Sequence, residues 1–129
     1  MARTTYTLLV LRALWEITRY DIVNFTRGFR CVYQQGTRCR VAARMFHAET
    51  EMLVCGAVSL AACFYYKPVW CLQRSVVATR LLRNHGINAR LVIGYRAAPF
   101  FSHAWVEVDG RVVNDSPVYK ERLQVLCTF

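Results

Sequence analysis

Apolar residues recur at helical steps through the first part of the chain. Between residues 5 and 26, Leu8, Leu11, Trp15, Ile22 and Phe25 follow at three-, four- and seven-residue intervals, the signature of one face of an amphipathic helix. That face is expected to turn inward, leaving Arg12, Glu16 and Arg19 solvated. A second helical pattern covers residues 41–63, where Val41, Met45, Ala48, Met52, Cys55, Ser59 and Ala62 share a face. Methionines at such positions read as core. Between the two patterns, Gly28 and Gly36 punctuate a segment with Arg27, Arg30, Arg38, Arg40 and Arg44 and no acid from Asp21 to Glu49. Pro68 redirects the chain.

The second half changes character. Residues 71–84 form a helical pattern with Leu72, Val76, Thr79 and Leu81 or Leu82 inward, and Asn84-His85-Gly86 supplies a stop. Gly86 suits the left-handed position after a last helical turn. Ala89 to Tyr95 reads as a strand, Ala98-Pro99 breaks it, and Ser102 to Val108 alternates as a second strand. Asp109-Gly110 is a turn, and Arg111 to Asn114 begins a third strand. The tail from Tyr119 holds one more short element. A helical half leading into helix–strand–strand–strand predicts one α+β domain over residues 1–129.

At 129 residues the chain can bury a core without staples. With 55% hydrophobic residues it is not a disordered segment. No apolar run reaches the roughly 18–20 residues that span a bilayer, and Arg12 interrupts the start of any secretory signal. A cytoplasmic protein without disulfides is therefore expected. The formal charge is +9, and only Lys67 and Lys120 among 17 basic residues are not Arg. That bias favours gripping carboxylates, phosphates or carbonyls. Cys31, Cys39, His47, Cys55, Cys63 and Cys71 fall eight residues apart, a spacing that keeps no common helical face. No Cys-x-x-Cys occurs, so neither a metal nor another cofactor is expected.

Cys71 differs from the other cysteines because it opens a helix. Unpaired N–H groups and the macrodipole there favour a thiolate, and Arg74 adds charge one turn on. The same N–H groups suit an oxyanion after attack on a carbonyl. His103 lies on the second strand as a candidate base, and Asp115 follows the third as its orienting partner. Whether they meet depends on the turn. A two-residue Asp109-Gly110 loop sets residue 104 opposite Asp115, whereas a three-residue Val108-Asp109-Gly110 loop with a bulge sets His103 there. The bulged loop is predicted, and a two-residue loop would count against the triad. Taken singly, each residue also has a plain structural reading, as buried thiol, core histidine or turn aspartate. His47 reads as helix surface and His85 as a helix end.

The motifs Cys71-Leu72-Gln73-Arg74-Ser75, Leu81-Leu82-Arg83-Asn84-His85-Gly86, His103-Ala104-Trp105-Val106-Glu107 and Asn114-Asp115 resemble the transglutaminase-like cysteine proteases that remove leader peptides in lasso-peptide biosynthesis, the family of the microcin-processing leader peptidase. The resemblance implies a papain/transglutaminase-like fold, with a Cys-bearing helix packed on a small antiparallel sheet. It implies Cys71 as nucleophile, His103 as general base and Asp115 as its partner, and hydrolysis through a thioester. Residues 1–66 would be helical scaffold and docking surface, and 67–129 the catalytic part. The short length resembles the standalone protease form, whose partners would be the precursor peptide, a separate leader-recognition protein and the lasso cyclase. Trp70 and Trp105 flank the site in sequence, as substrate-groove walls or as buried core.

Two alternatives stand beside this reading. The same triad could pass its acyl group to an amine, as a transglutaminase-like acyltransferase. A noncatalytic basic binding module would explain the charge, but no helix-turn-helix, zinc or RNA-sheet signature supports nucleic acid as a partner.

Overall fold

The apolar run ahead of the Asp109-Gly110 turn and the helical pattern before Gly86 become the two central elements. The computed structural model describes residues 2–27 and 48–128. Three helices, α1 (Ala2–Arg27), α2 (Ala48–Phe64) and α3 (Cys71–Asn84), precede strands β1 (Ala89–Ala97), β2 (Phe100–Val108) and β3 (Arg111–Val112). A short α4 (Val118–Arg122) and strand β4 (Gln124–Thr128) complete the order. The sheet runs β3-β2-β1-β4 with every pairing antiparallel. The predicted third strand is thus two residues long, and the tail supplies two elements where one was expected.

α3 ends as its sequence dictates. Gly86 takes φ +80°, and the amides of Gly86 and Ile87 close onto the carbonyls of Arg83 and Leu82 at 3.0 Å. Of its expected inward residues Val76, Thr79, Leu81 and Leu82 are buried and Leu72 is half-buried, while Val77 and Ala78 are buried as well. One cluster joins Val77, Ala78, Leu81 and Leu82 to Ala13 and Ile17 of α1, Val54, Val58 and Ala61 of α2, and Val106 and Val108 of β2. Helices therefore cover one face of the sheet. On the other face Val92, Trp105 and Leu123 form a second core under α4.

Two expected stripes are rotated. Leu8, Leu11, Trp15, Ile22 and Phe25 of α1 are exposed, while Ala13, Glu16 and Ile17 are buried. α1 carries a rival apolar stripe, Leu9, Val10, Ala13, Leu14 and Ile17, and the small Ala13 allows close helix approach. Glu16 is no solvated charge. Only 2% exposed, it accepts a 3.0 Å bond from Arg80 Nε of α3 and lies 3.5 Å from Arg12. In α2, Val54, Ala57, Val58 and Ala61 are buried and Met52 is exposed, because these smaller side chains pack against α1 and α3. Val41, Met45, the Arg30–Arg44 cluster, His47, Cys31 and Cys39 lie outside the described residues. No described helix is long and apolar enough to cross a membrane.

Candidate active site

Trp70 precedes α3 in extended backbone, φ −76° and ψ 167°, and its carbonyl accepts the first helical bond from Arg74 N–H at 3.0 Å. Cys71 is therefore the first helical residue, where N–H groups have no intrahelical acceptor. No side chain caps that end. The half-buried thiol packs against the cluster of Val76, Leu91 and Ala104, with Tyr20 and Ile93 alongside. Arg74 is half-buried, and its Nε has no hydrogen-bond partner among the described residues.

The chain entering α3 is buckled to α1 through Asp21. Lys67 Nζ lies 2.9 Å from Asp21 Oδ1, the Tyr65 hydroxyl donates to Oδ2, and Gln73 Nε2 donates to Oδ1 at 3.1 Å. Gln73 also donates to the Ile17 carbonyl at 3.1 Å. The hydrogen bond to Asp21 raises the Lys67 ammonium above its ordinary range. Burial, then the charges of Asp21 and Cys71, raises the Tyr20 phenol.

His103 sits on β2 opposite Gly94 of β1. Ala104, Val106 and Val108 face the helices, so strand alternation assigns Phe101, His103 and Trp105 to the other face. The Tyr119 ring of α4 stacks on the imidazole, with centroids 3.9 Å apart and planes at 27°. His103 Nε2 lies 2.7 Å from Asp115 Oδ2. An ionised carboxylate only accepts, so Nε2 carries a proton, and in the neutral imidazole Nδ1 then keeps its lone pair. Asp115 Oδ1 in turn accepts the Ser116 N–H at 2.8 Å, which fixes the carboxylate.

This pairing is reached by a route the sequence reading did not foresee. Val108 pairs with Arg111 and Glu107 with Val112, so the loop has two residues, with Asp109 at φ 52° and Gly110 at φ 78°. Two successive positive φ values make a type I′ turn, which follows strand twist without a bulge. The predicted three-residue bulged loop is thus corrected, and regular continuation would set Asp115 against Ala104. The ladder does not continue. Val113 N–H donates to the Val106 carbonyl at 3.0 Å, but Val106 N–H donates to the Asn114 side-chain Oδ1 at 2.8 Å. The backbone leaves the sheet there, and Asp115 swings to His103.

Among the described residues, no hydrogen bond joins the Cys71 thiol to His103. The structure brings His103 and Asp115 together and sets Cys71 against the cluster containing Ala104, the neighbour of His103 in β2. Trp105 follows its core reading. It is 0% exposed, its indole N–H donates to Glu107 at 3.0 Å, and it has no surface to offer a groove. Trp70 is 73% exposed at the α3 start. Beside the imidazole, a cleft of about 370 Å³ is lined by Arg96, Phe101, Ser116, Tyr119 and Arg122, among others. Sequence reasoning missed Tyr119, Asn114 and the Asp21–Gln73 buckle as parts of the site. Only Asn114, next to Asp115, had a positional cue. Of the other described cysteines, burial and the Glu51 carboxylate push the Cys55 thiol up to about 12, Cys63 is exposed, and Cys127 lies half-buried on β4.

Comparison with known proteins adds family evidence. Residues 17–128 match the family model described as the transglutaminase-like superfamily. The microcin J25-processing protein McjB of Escherichia coli is 36% identical over 86 residues, covering 64% of this chain. The aligned stretch is 41% of McjB, so the chain spans well under half of that curated relative. No solved structure matches.

Proposed function

Because the chain belongs to the transglutaminase-like superfamily, whose α+β fold it shows, we propose that it is a cysteine peptidase that removes the leader from a lasso-peptide precursor. The observation that carries this reading is the 2.7 Å His103–Asp115 pair beside a helix that begins at Cys71. Similarity to McjB, whose name describes processing of microcin J25, supplies the substrate class.

This reading requires Cys71 Sγ and His103 Nδ1, which are set toward opposite faces of β2 in the free protein, to meet when substrate binds. Nδ1 takes the thiol proton, and the thiolate attacks the carbonyl carbon of the leader's last residue. Free N–H groups at the α3 start hold the oxyanion. The scissile C–N bond then breaks, and the imidazolium gives its proton to the departing amine of the core peptide. Water, deprotonated by His103, attacks the thioester and releases the leader acid and the free thiol. Asp115 holds the imidazole in the tautomer that leaves Nδ1 open. A separate leader-recognition protein would deliver the precursor, and the lasso cyclase would take the freed core.

The test is incubation with the precursor encoded beside this protein and its leader-binding partner, followed by mass spectrometry. Cleavage at the leader–core junction with one added water is expected, and Cys71→Ala should abolish it in a folded protein. Undiminished cleavage by Cys71→Ala would overturn the reading. A leader joined to an added amine would instead favour acyl transfer.

A further inference from the structure

The Asp109-Gly110 turn and the position of Asp115 conflict, and a single side chain resolves the conflict. A two-residue hairpin with Val108 opposite Arg111 places residue 113 against 106, 114 against 105 and 115 against 104. Asp115 would then point with Ala104 toward the helices, on the wrong face for His103. The regular ladder also requires Val106 N–H to bond the Val113 carbonyl. That amide instead bonds Asn114 Oδ1 at 2.8 Å. The side-chain amide stands in for the next backbone carbonyl, so the main chain is freed one residue before the catalytic candidate.

The other end of the same amide is anchored. Asn114 Nδ2 donates to Ser75 Oγ at 3.1 Å, and Ser75 Oγ donates to the Ala104 carbonyl at 3.1 Å. Ser75 is fully buried on α3, four residues after Cys71. Three hydrogen bonds thus tie the Cys71 helix, the His103 strand and the Asp115 segment at one point. The Asn114 amide thus donates through Nδ2 and accepts through Oδ1 at once, so its orientation is set from both ends.

We propose that Asn114 is a positioning residue. Its side chain, anchored by Ser75, ends the β2–β3 ladder and aims Asp115 at His103 while fixing both to the helix that carries Cys71. The role rests on the peptidase reading only for its kinetic consequence; the aiming of Asp115 stands without it.

The experiment separates the two. In the free protein, the His103 Nε2–H proton is followed by NMR in the native chain and in Asn114→Ala, Ser75→Ala, Asn114→Asp and Asp115→Ala. The native chain should show a downfield, slowly exchanging imidazole proton that Asp115→Ala removes. Asn114→Ala should lose it while staying folded, and Ser75→Ala should weaken it. Asn114→Asp, which keeps the acceptor for Val106 N–H, should retain it. If precursor cleavage is observed, Asn114→Ala should lower kcat by about 100-fold, the scale of a misplaced catalytic group, with KM within about twofold. If Asn114→Ala does not fold, Ser75→Ala carries the same readout. A native imidazole signal in folded Asn114→Ala, or in Ser75→Ala where that is the variant read, overturns the proposal. Loss of the signal in a protein that cleaves nothing upholds it and removes the peptidase reading instead.

Discussion

Asp115 bonds His103 across a hairpin whose register assigns Ala104 as its neighbour. The 2.7 Å contact therefore depends on the chain leaving the ladder after Val113. The Asp115 side chain is 32% exposed and sits outside the core clusters, so Asp115→Asn should leave the fold intact. The amide can present its NH₂ group to Nε2 and stabilise the wrong tautomer. Precursor cleavage is expected to fall by roughly 100-fold or more in kcat, with the melting temperature nearly unchanged. Assays under saturating precursor, paired with thermal melts, check this.

Gly94 lies opposite His103 on β1, and it is a glycine for a steric reason. A Cβ there would stand 2.5 Å from Trp105 Cη2 and 3.0 Å from Leu123 Cβ. Trp105 is sealed in the core and cannot step aside. Gly94→Ala is expected to destabilise the protein by about 1–3 kcal/mol. Urea unfolding should show a lowered midpoint with an unchanged slope.

Glu16 balances Arg80 inside the helical layer, at 3.0 Å and 2% exposure. Glu16→Ala removes the acceptor while Arg80 stays in a largely desolvated place. Breaking a buried pair from one side costs about 3–5 kcal/mol. The melting temperature should fall by roughly 10 °C, whereas Glu49→Ala on an exposed position of the same layer should change it little.

Alkaline pH should weaken the fold. The Cys55 thiol is pushed up to about 12, by burial first and the Glu51 charge second, from an ordinary value of 9.0. Burial also raises the phenols of Tyr20 and Tyr65. Between pH 9 and about 12 the folded chain holds protons that the unfolded chain releases. The stabilisation is complete below that range and is lost as pH rises through it. Melting temperatures should stay level near neutrality and decline above pH 9, and Cys55→Ala should flatten the decline.

The parts of the molecule legible in the sequence are those governed by neighbours along the chain. The start of α3 at Cys71, its inward residues, its stop at Gly86 and the β1–β2 hairpin all follow from local pattern. The inward face of α1 was not legible. Leu8-Leu11-Trp15 and Leu9-Ala13-Ile17 are both apolar at helical spacing, and periodicity cannot choose between two stripes. The choice came from α2 and α3, including Arg80, which lies 64 residues beyond Glu16. The pairing of His103 with Asp115 was anticipated for the wrong reason. Turn chemistry in the sequence allowed two loops, and a side-chain bond from Asn114 made the contact under the loop that backbone register disfavoured.

The three tryptophans divide the molecule into optical zones. Trp105 is sealed beneath α4, whereas Trp15 and Trp70 face solvent. Iodide will quench the latter two and leave the first, so emission resolves into a blue, protected band and a red, accessible one. Unfolding of the sheet reports through the blue band. Anything that settles over the start of α3 reports through Trp70 in the red, giving binding and folding separate colours in one unlabelled chain.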